Sequence, residues 1–165
     1  MLSVGDWTWT NNLSKITVLD ANEQPIPGGE IGPIYMSGMN VGDSPQTTAA
    51  LNLDYEVVDN VKLGVDYNYY ANFNGDFDPT TLTSKGLKPW KVPNYSLVDV
   101  NAVFRFNISG LNASLFANVN NVLNTEYISD AQARFESGTG VSNANNTIVF
   151  FGQGRTWTTG LKVNF

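Results

Sequence analysis

Asn72, Asn74, Asp76 and Asp78 fall at every second residue and alternate with Ala71, Phe73, Gly75 and Phe77. On an extended segment that spacing places four oxygen-bearing side chains on one face. Hard cations select clustered oxygens, so the set is a candidate metal site; the bland reading is a solvated loop. It is not an EF-hand, because the glycine is misplaced and no closing Glu follows. Asp76 and Asp78 are also the nearest approach to a glycosidase carboxylate pair. They lie in a Gly-rich stretch with no apolar pocket to raise either pKa, so hydrolysis is not expected. Three arginines are candidate anion contacts. Arg105 could pair with Asp99, with a carboxylate of another domain, or with a ligand. Arg134 lies in a long loop, and Arg155 just before the last strand. Arg155 either fixes the exit of that loop or offers a fork to phosphate.

The chain has 165 residues, no Cys and no His. It therefore lacks any disulfide or thiolate metal site, and the commonest general base. No Ser–His or Cys–His pair is possible, so an enzyme is not expected, nor is a cofactor. The net charge of −6 argues against a nucleic-acid partner. No run of about 20 apolar residues exists, so no transmembrane helix is predicted. The slightly negative mean hydropathy leaves a β-barrel open, because barrel strands alternate and average out.

Two-residue periodicity dominates, and it predicts an all-β chain of six strands of about 9–11 residues. They are expected at 7–18, 47–57, 61–72, 96–108, 111–122 and 156–165. Ala49, Leu51, Leu53, Tyr55 and Val57 alternate with polar residues in the second. Val98, Val100, Ala102, Phe104, Phe106 and Ile108 do so in the fourth. The first strand changes register midway, which predicts a bulge near residues 12–14. Val58-Asp59-Asn60 and Ser109-Gly110 read as hairpin turns. Three other connections, 19–46, 73–95 and 123–155, are long and read as unstructured. Short alternating with long is the pattern of an antiparallel transmembrane β-barrel, with tight periplasmic turns and long extracellular loops. Aromatics near strand ends, among them Trp7, Trp9, Tyr67, Tyr69, Tyr70, Trp90, Tyr95, Phe104, Phe106 and Trp157, suit a girdle at headgroup level. A soluble β-sandwich would show the same periodicity. It would use Trp7, Trp9 or Trp90 as stacking platforms for glycans. Such a sandwich should stay monomeric in buffer, whereas a barrel segment should aggregate through its lipid face and free edges.

The last eight residues read Thr-Thr-Gly-Leu-Lys-Val-Asn-Phe, with Leu161, Val163 and Phe165 on one face. A strand closing on a C-terminal Phe resembles the assembly signal of bacterial outer-membrane barrels, carried here by Thr158, Gly160, Val163 and Phe165. Residues 118–127, Asn-Val-Asn-Asn-Val-Leu-Asn-Thr-Glu-Tyr, resemble the second-to-last strand of TonB-dependent outer-membrane receptors. Residues 152–157, Gly-Gln-Gly-Arg-Thr-Trp, resemble that family's approach to its last strand. Residues 41–46 and 89–95 resemble two further loop-to-strand passages.

The resemblance implies the C-terminal part of such a receptor over residues 1–165. The family's barrel has about 22 strands, a plug and a periplasmic box that engages TonB. Six strands are too few to close a barrel, the smallest having about eight. No plug, TonB-contacting box or signal peptide is recognised, so the expectation is a fragment or truncated copy. The implied function is TonB-driven uptake of a nutrient such as an iron–siderophore or cobalamin-type ligand, in the bacterial outer membrane. The implied partners are outer-membrane lipid and lipopolysaccharide, the barrel-assembly machinery, and a plug and TonB through the rest of the receptor. A surface barrel without transport is a third reading, and it predicts no dependence on TonB.

Overall fold

A computed structural model describes residues 1–136 and 140–164. It holds twelve strands in chain order. They are β1 (Leu2–Val4), β2 (Ile16–Leu19), β3 (Pro25–Ile31), β4 (Pro45–Val58), β5 (Val61–Asn74) and β6 (Asp76–Phe77), then β7 (Lys91–Val92), β8 (Tyr95–Ile108), β9 (Leu111–Asn120), β10 (Ile128–Ala133), β11 (Ile148–Phe151) and β12 (Thr156–Asn164). A single 3-10 turn, Pro79–Thr81, is the one helical element among the described residues. The fold is all-β and almost entirely antiparallel. The main sheet runs β1-β4-β5-β8-β9-β12, with β7 added beside β5. It does not close.

The register explains why this sheet forms. Leu53 faces Val65, Val65 faces Val100, Val100 faces Val119, and Val119 faces Trp157. On the opposite surface Asp54, Gly64, Asn101, Asn118 and Thr158 make a matching row. A slip of one residue in any pair would mix the two rows, so alternation along the chain fixes pairing across it. Two tight turns supply the reversals. Asn60 has φ 70°, Ser109 φ 49° and Gly110 φ 84°. The consecutive positive φ of Ser109 and Gly110 suits a type I′ hairpin, and the Asn107 side chain accepts from the Gly110 N–H at 2.8 Å.

The turn-side half of the sheet has no core. Leu53 is 61% exposed, Tyr55 70% and Leu161 59%. No second sheet covers this apolar face among the described residues. The core lies instead in the three long connections, which gather at the end of the sheet away from the tight turns. One cluster joins Ile34, Met36, Met39, Phe77, Leu82 and Leu87. Another joins Phe73, Val92 and Ala131, with Trp90, Ile128 and Val149 packed against it.

Several expectations are corrected here. The connections are not unstructured: they carry β3, β6, β7, β10 and β11. The predicted strand at 7–18 is replaced by an extended run held by isolated bridges, Thr8 to Asn40 and Leu13 to Ile34, followed by β2. The sixth strand of the main sheet is the short β1. β4, β5 and β8 have 14 residues each, longer than expected, because their loop-side ends run under the cap of connections. Trp90 packs in the cap rather than in a girdle, while Trp157 is 73% exposed at the loop-side end of β12.

Candidate functional site

The polar surface of the sheet is a charged wall. Asn52 donates to Asp66 at 2.7 Å. Lys62 lies 3.1 Å from Asp54, and Arg105 lies 3.8 Å from Glu56. Of the partners the sequence offered Arg105, Asp99 instead accepts the Asn121 backbone N–H at 2.7 Å. Arg105, Lys162, Asn107, Asn112 and Asn164 line a hollow of about 520 Å³ near the tight turns. Phe116 breaks the polar pattern for a local reason. Its ring lies over Gly160, where an added Cβ would sit 2.4 Å from Cζ. The aromatic fills the space left by the glycine across the strand pair.

The loop-side end carries a second polar recess, of about 300 Å³, lined by Gly5, Asp6, Asn40, Gln46, Asn72, Asn74 and Lys91. Gln46 builds one wall. Its amide accepts from the Trp7 N–H at 2.9 Å and donates to the Trp7 carbonyl at 2.9 Å. That bidentate contact holds the run from Gly5 to Trp9 against β4, although the run has no ladder of its own. The lining is mostly amide, with Lys91 and Asp6 as its charged groups. It offers hydrogen bonds to a polar ligand, with one carboxylate and one ammonium to orient it.

The four candidate cation ligands do not converge. Asn72 and Asn74 line the recess, but the Asn72 oxygen accepts from Lys91 Nζ at 2.7 Å, and its amide donates to Thr47 at 2.8 Å. An ammonium therefore occupies the position offered to a cation. Asp76 starts the next strand. Asp78 caps the 3-10 turn, accepting from the Thr80 N–H at 2.9 Å and hydroxyl at 2.7 Å. Among the described residues no group of three or more carboxylates is placed to hold a metal ion. Asp43, by contrast, lies beside Asp130 and Asp76. Loss of surrounding water, then the Asp130 carboxylate, hold its carboxyl above the usual range.

The two segments that resemble receptor motifs fasten to each other. Asn121, 3% exposed, accepts from the Thr125 N–H at 2.8 Å and donates to the carbonyls of Thr125 at 2.9 Å and Gln153 at 3.3 Å. Asn124 accepts from the Arg155 N–H at 3.0 Å. The Tyr127 carbonyl accepts from the Gly152 N–H at 2.8 Å, and its ring covers the space where a Gly152 Cβ would stand. Tyr127 stacks on Tyr95 at 4.5 Å, and Tyr95 on Tyr70 at 4.9 Å. This is the stem of the last long loop. Arg155 joins it through its backbone, with an exposed side chain, and Arg134 is exposed just beyond β10. Sequence reasoning missed Asn121, Gln46, Tyr127, Asp130 and Lys91. Asn121, like its neighbour Asn124, carried a local signal as an asparagine suited to positive φ, at 50° and 53°. Of the expected assembly signal, Thr158 and Gly160 face the polar side and Val163 the apolar side. Phe165 lies outside the described residues.

No family model matches the chain, no curated protein sequence matches it, and no solved structure matches its fold.

Proposed function

We propose that the chain is a wall segment of a TonB-dependent outer-membrane receptor, with its apolar face toward lipid and its polar face toward a lumen. What carries the reading is the apolar face of β4, β5, β8, β9 and β12, continuous across every strand pair and, on its turn-side half, covered by nothing among the described residues. Water would disfavour so large an exposed apolar surface, whereas lipid would favour it. The placement of every long connection at one end is consistent with an outer surface, and the hairpin turns with a periplasmic one.

In this reading the cap and its amide-lined recess meet a nutrient such as an iron–siderophore or cobalamin-type ligand. The charged wall faces a plug whose rearrangement TonB drives. Thr158, Gly160, Val163 and Phe165 present the strand read by the barrel-assembly machinery, and Arg155 faces lipopolysaccharide. The test is fractionation of cells expressing the natural protein, with uptake measured with and without TonB. Carbonate-resistant recovery in the outer membrane and TonB-dependent uptake are expected. A soluble monomer would overturn the reading. Outer-membrane recovery with TonB-independent behaviour would remove the receptor role and leave a surface barrel.

A further inference from the structure

The amide-lined recess at the loop-side end holds two opposite charges that do not meet. Asp6 and Lys91 both line it. Among the described residues neither forms an ion pair, with the other or with any third group. Lys91 spends one of its three N–H donors on the Asn72 oxygen, at 2.7 Å. The Asp6 side chain accepts no hydrogen bond from a described residue.

Asn74 gives a second, independent sign. It lines the same recess, is 9% exposed, and its side-chain amide has no hydrogen-bond partner among the described residues. No buried side-chain polar atom among those residues is sealed from solvent without a partner, so this amide reaches the recess. Buried polar groups are ordinarily hydrogen-bonded. The Asn74 amide, both donor and acceptor, is therefore held for a group that the chain itself does not supply. Asn40, half-buried in the same lining, also has a side-chain amide without a partner among the described residues.

The sheet sets the distance between the two charges. The Gly5 N–H donates to the Gln46 carbonyl at 2.6 Å. Pro45 pairs with Phe73 and Thr47 with Ala71, which puts Gln46 opposite Asn72. The run that carries Asp6 is therefore two strand spacings, about 10 Å, from β5. Lys91 belongs to β7, beyond β5, but its ammonium leans back over Asn72. A hydrogen bond at each end spans about 2.8 Å. What remains is about 4 Å, close to the length from the nitrogen of an α-amino acid to its carboxylate oxygen. One residue more would add about 3.5 Å and overshoot. The recess lies past the Gly5 end of β1, away from the part of the β4 edge that β1 leaves uncovered.

We propose that the recess binds a free α-amino acid as its zwitterion. The ligand carboxylate takes the two remaining Lys91 N–H donors and the Asn74 amide N–H. The ligand ammonium donates to Asp6 and to the Asn40 amide oxygen. At about 300 Å³ the recess is at the small end of ligand pockets, which suits one such molecule. An uncharged sugar would leave both charges without a counter-charge, and among the described residues no aromatic ring lines the recess for it to stack on. That the amino acid arrives from outside the cell, as the nutrient, rests on the receptor reading; the recess and its charges do not.

The probe is L-alanine, read by saturation-transfer NMR on the full protein in detergent micelles. Its binding should saturate. Alaninamide lacks the carboxylate, N-acetylalanine lacks the ammonium, and alanylalanine sets the two charges further apart. Each should bind about tenfold more weakly, through loss of a hydrogen bond to a charged group. Glucose should not compete. Asp6 and Lys91 are exposed, so Asp6→Asn and Lys91→Gln should leave the fold intact. Asp6→Asn should erase the preference for L-alanine over N-acetylalanine, and Lys91→Gln the preference over alaninamide. Misfolding would abolish both preferences in both variants, so the crossed pattern is specific to the site. Equal binding of the blocked forms to the natural protein, glucose binding in place of L-alanine, or no saturable signal would overturn the proposal. Liposome flotation of the same protein reports on the membrane separately. L-alanine binding without flotation keeps the site and sinks the receptor reading; flotation without L-alanine binding sinks the site alone.

Discussion

The wall and the cap are built from the same chain by opposite means. The wall is regular in sequence and has no core: its alternation is clean, its ladders continuous, and its apolar residues face outward. The cap is irregular in sequence and has the core: Ile34 and Leu82 are fully buried among short strands and turns. Periodicity thus indicates how a segment pairs, not whether it is packed. Stability should follow the cap in water and the wall in lipid. The largest effect tests the first half. Leu82→Ala should cost about 2–5 kcal/mol of folding stability, through lost burial and the cavity left behind. Leu53→Ala should cost about 0.5 kcal/mol or less in aqueous solution. Urea titration of both proteins reads the contrast, and equal losses would mean the apolar face is covered after all.

Leu53→Arg sharpens the second half. On a lipid-facing strand near the bilayer midplane, an arginine should cost about 2–4 kcal/mol of folding into liposomes. In water the same change should stay within about 0.5 kcal/mol, because the site is exposed. Asn52→Arg, one residue away on the polar surface, should be tolerated in both media. A penalty in liposomes for Asn52→Arg but not for Leu53→Arg would reverse the assignment of the two faces.

The same contrast explains what was legible in the sequence. β4, β5, β8, β9 and β12 could be read because each side chain alternates and both hairpin turns carry residues that accept positive φ. The run from Trp7 to Leu13 also alternates, and there the pattern misled. Gln46 and isolated bridges hold it, so it needs no strand partner. The cap was illegible because Ile34, Met36, Met39, Leu82 and Leu87 stand singly among glycines and prolines, and only tertiary contact unites them. Asn72, Asn74, Asp76 and Asp78 looked like one site because they share parity. The strand ends at Asn74, and a new one begins at Asp76, which separates them.

The stem of the last loop lies between the two regions and should respond at an intermediate scale. Asn121→Ala removes three hydrogen bonds from a buried position and leaves the Thr125 N–H without its acceptor. A loss of about 1–3 kcal/mol is expected. Limited proteolysis should show cleavage rising within the last long loop, while the hairpins at residues 59–60 and 109–110 stay resistant. Uniform cleavage along the chain would mean that wall and cap unfold as one unit.

The smallest effect sits at the seam, where Asp43 meets Asp130 and Asp76. The Asp43 carboxyl titrates above its ordinary value of 3.8, so the folded chain holds that proton more tightly than the unfolded one. Its stabilising contribution is complete below that ordinary value and is lost as pH rises through the raised one. Asn in its place carries no charge at any pH. Asp43→Asn should therefore match the natural protein at pH 3 and exceed it at pH 7. The carboxyl is largely open to solvent, so the gain should be about 0.5 kcal/mol or less after screening. Asp130→Asn should remove part of that gain, because the Asp130 charge is one of the groups opposing ionisation of Asp43. Melting curves at the two pH values, at low and high salt, read the effect. A difference that persists at pH 3 would trace it to packing at the seam instead of charge. A gain that survives undiminished at neutral pH in the Asp130→Asn background would place the cause in lost solvation without the Asp130 charge. The first result would make the coupling between cap and wall steric, carried by the close approach of Gly42 to the Gly75 carbonyl.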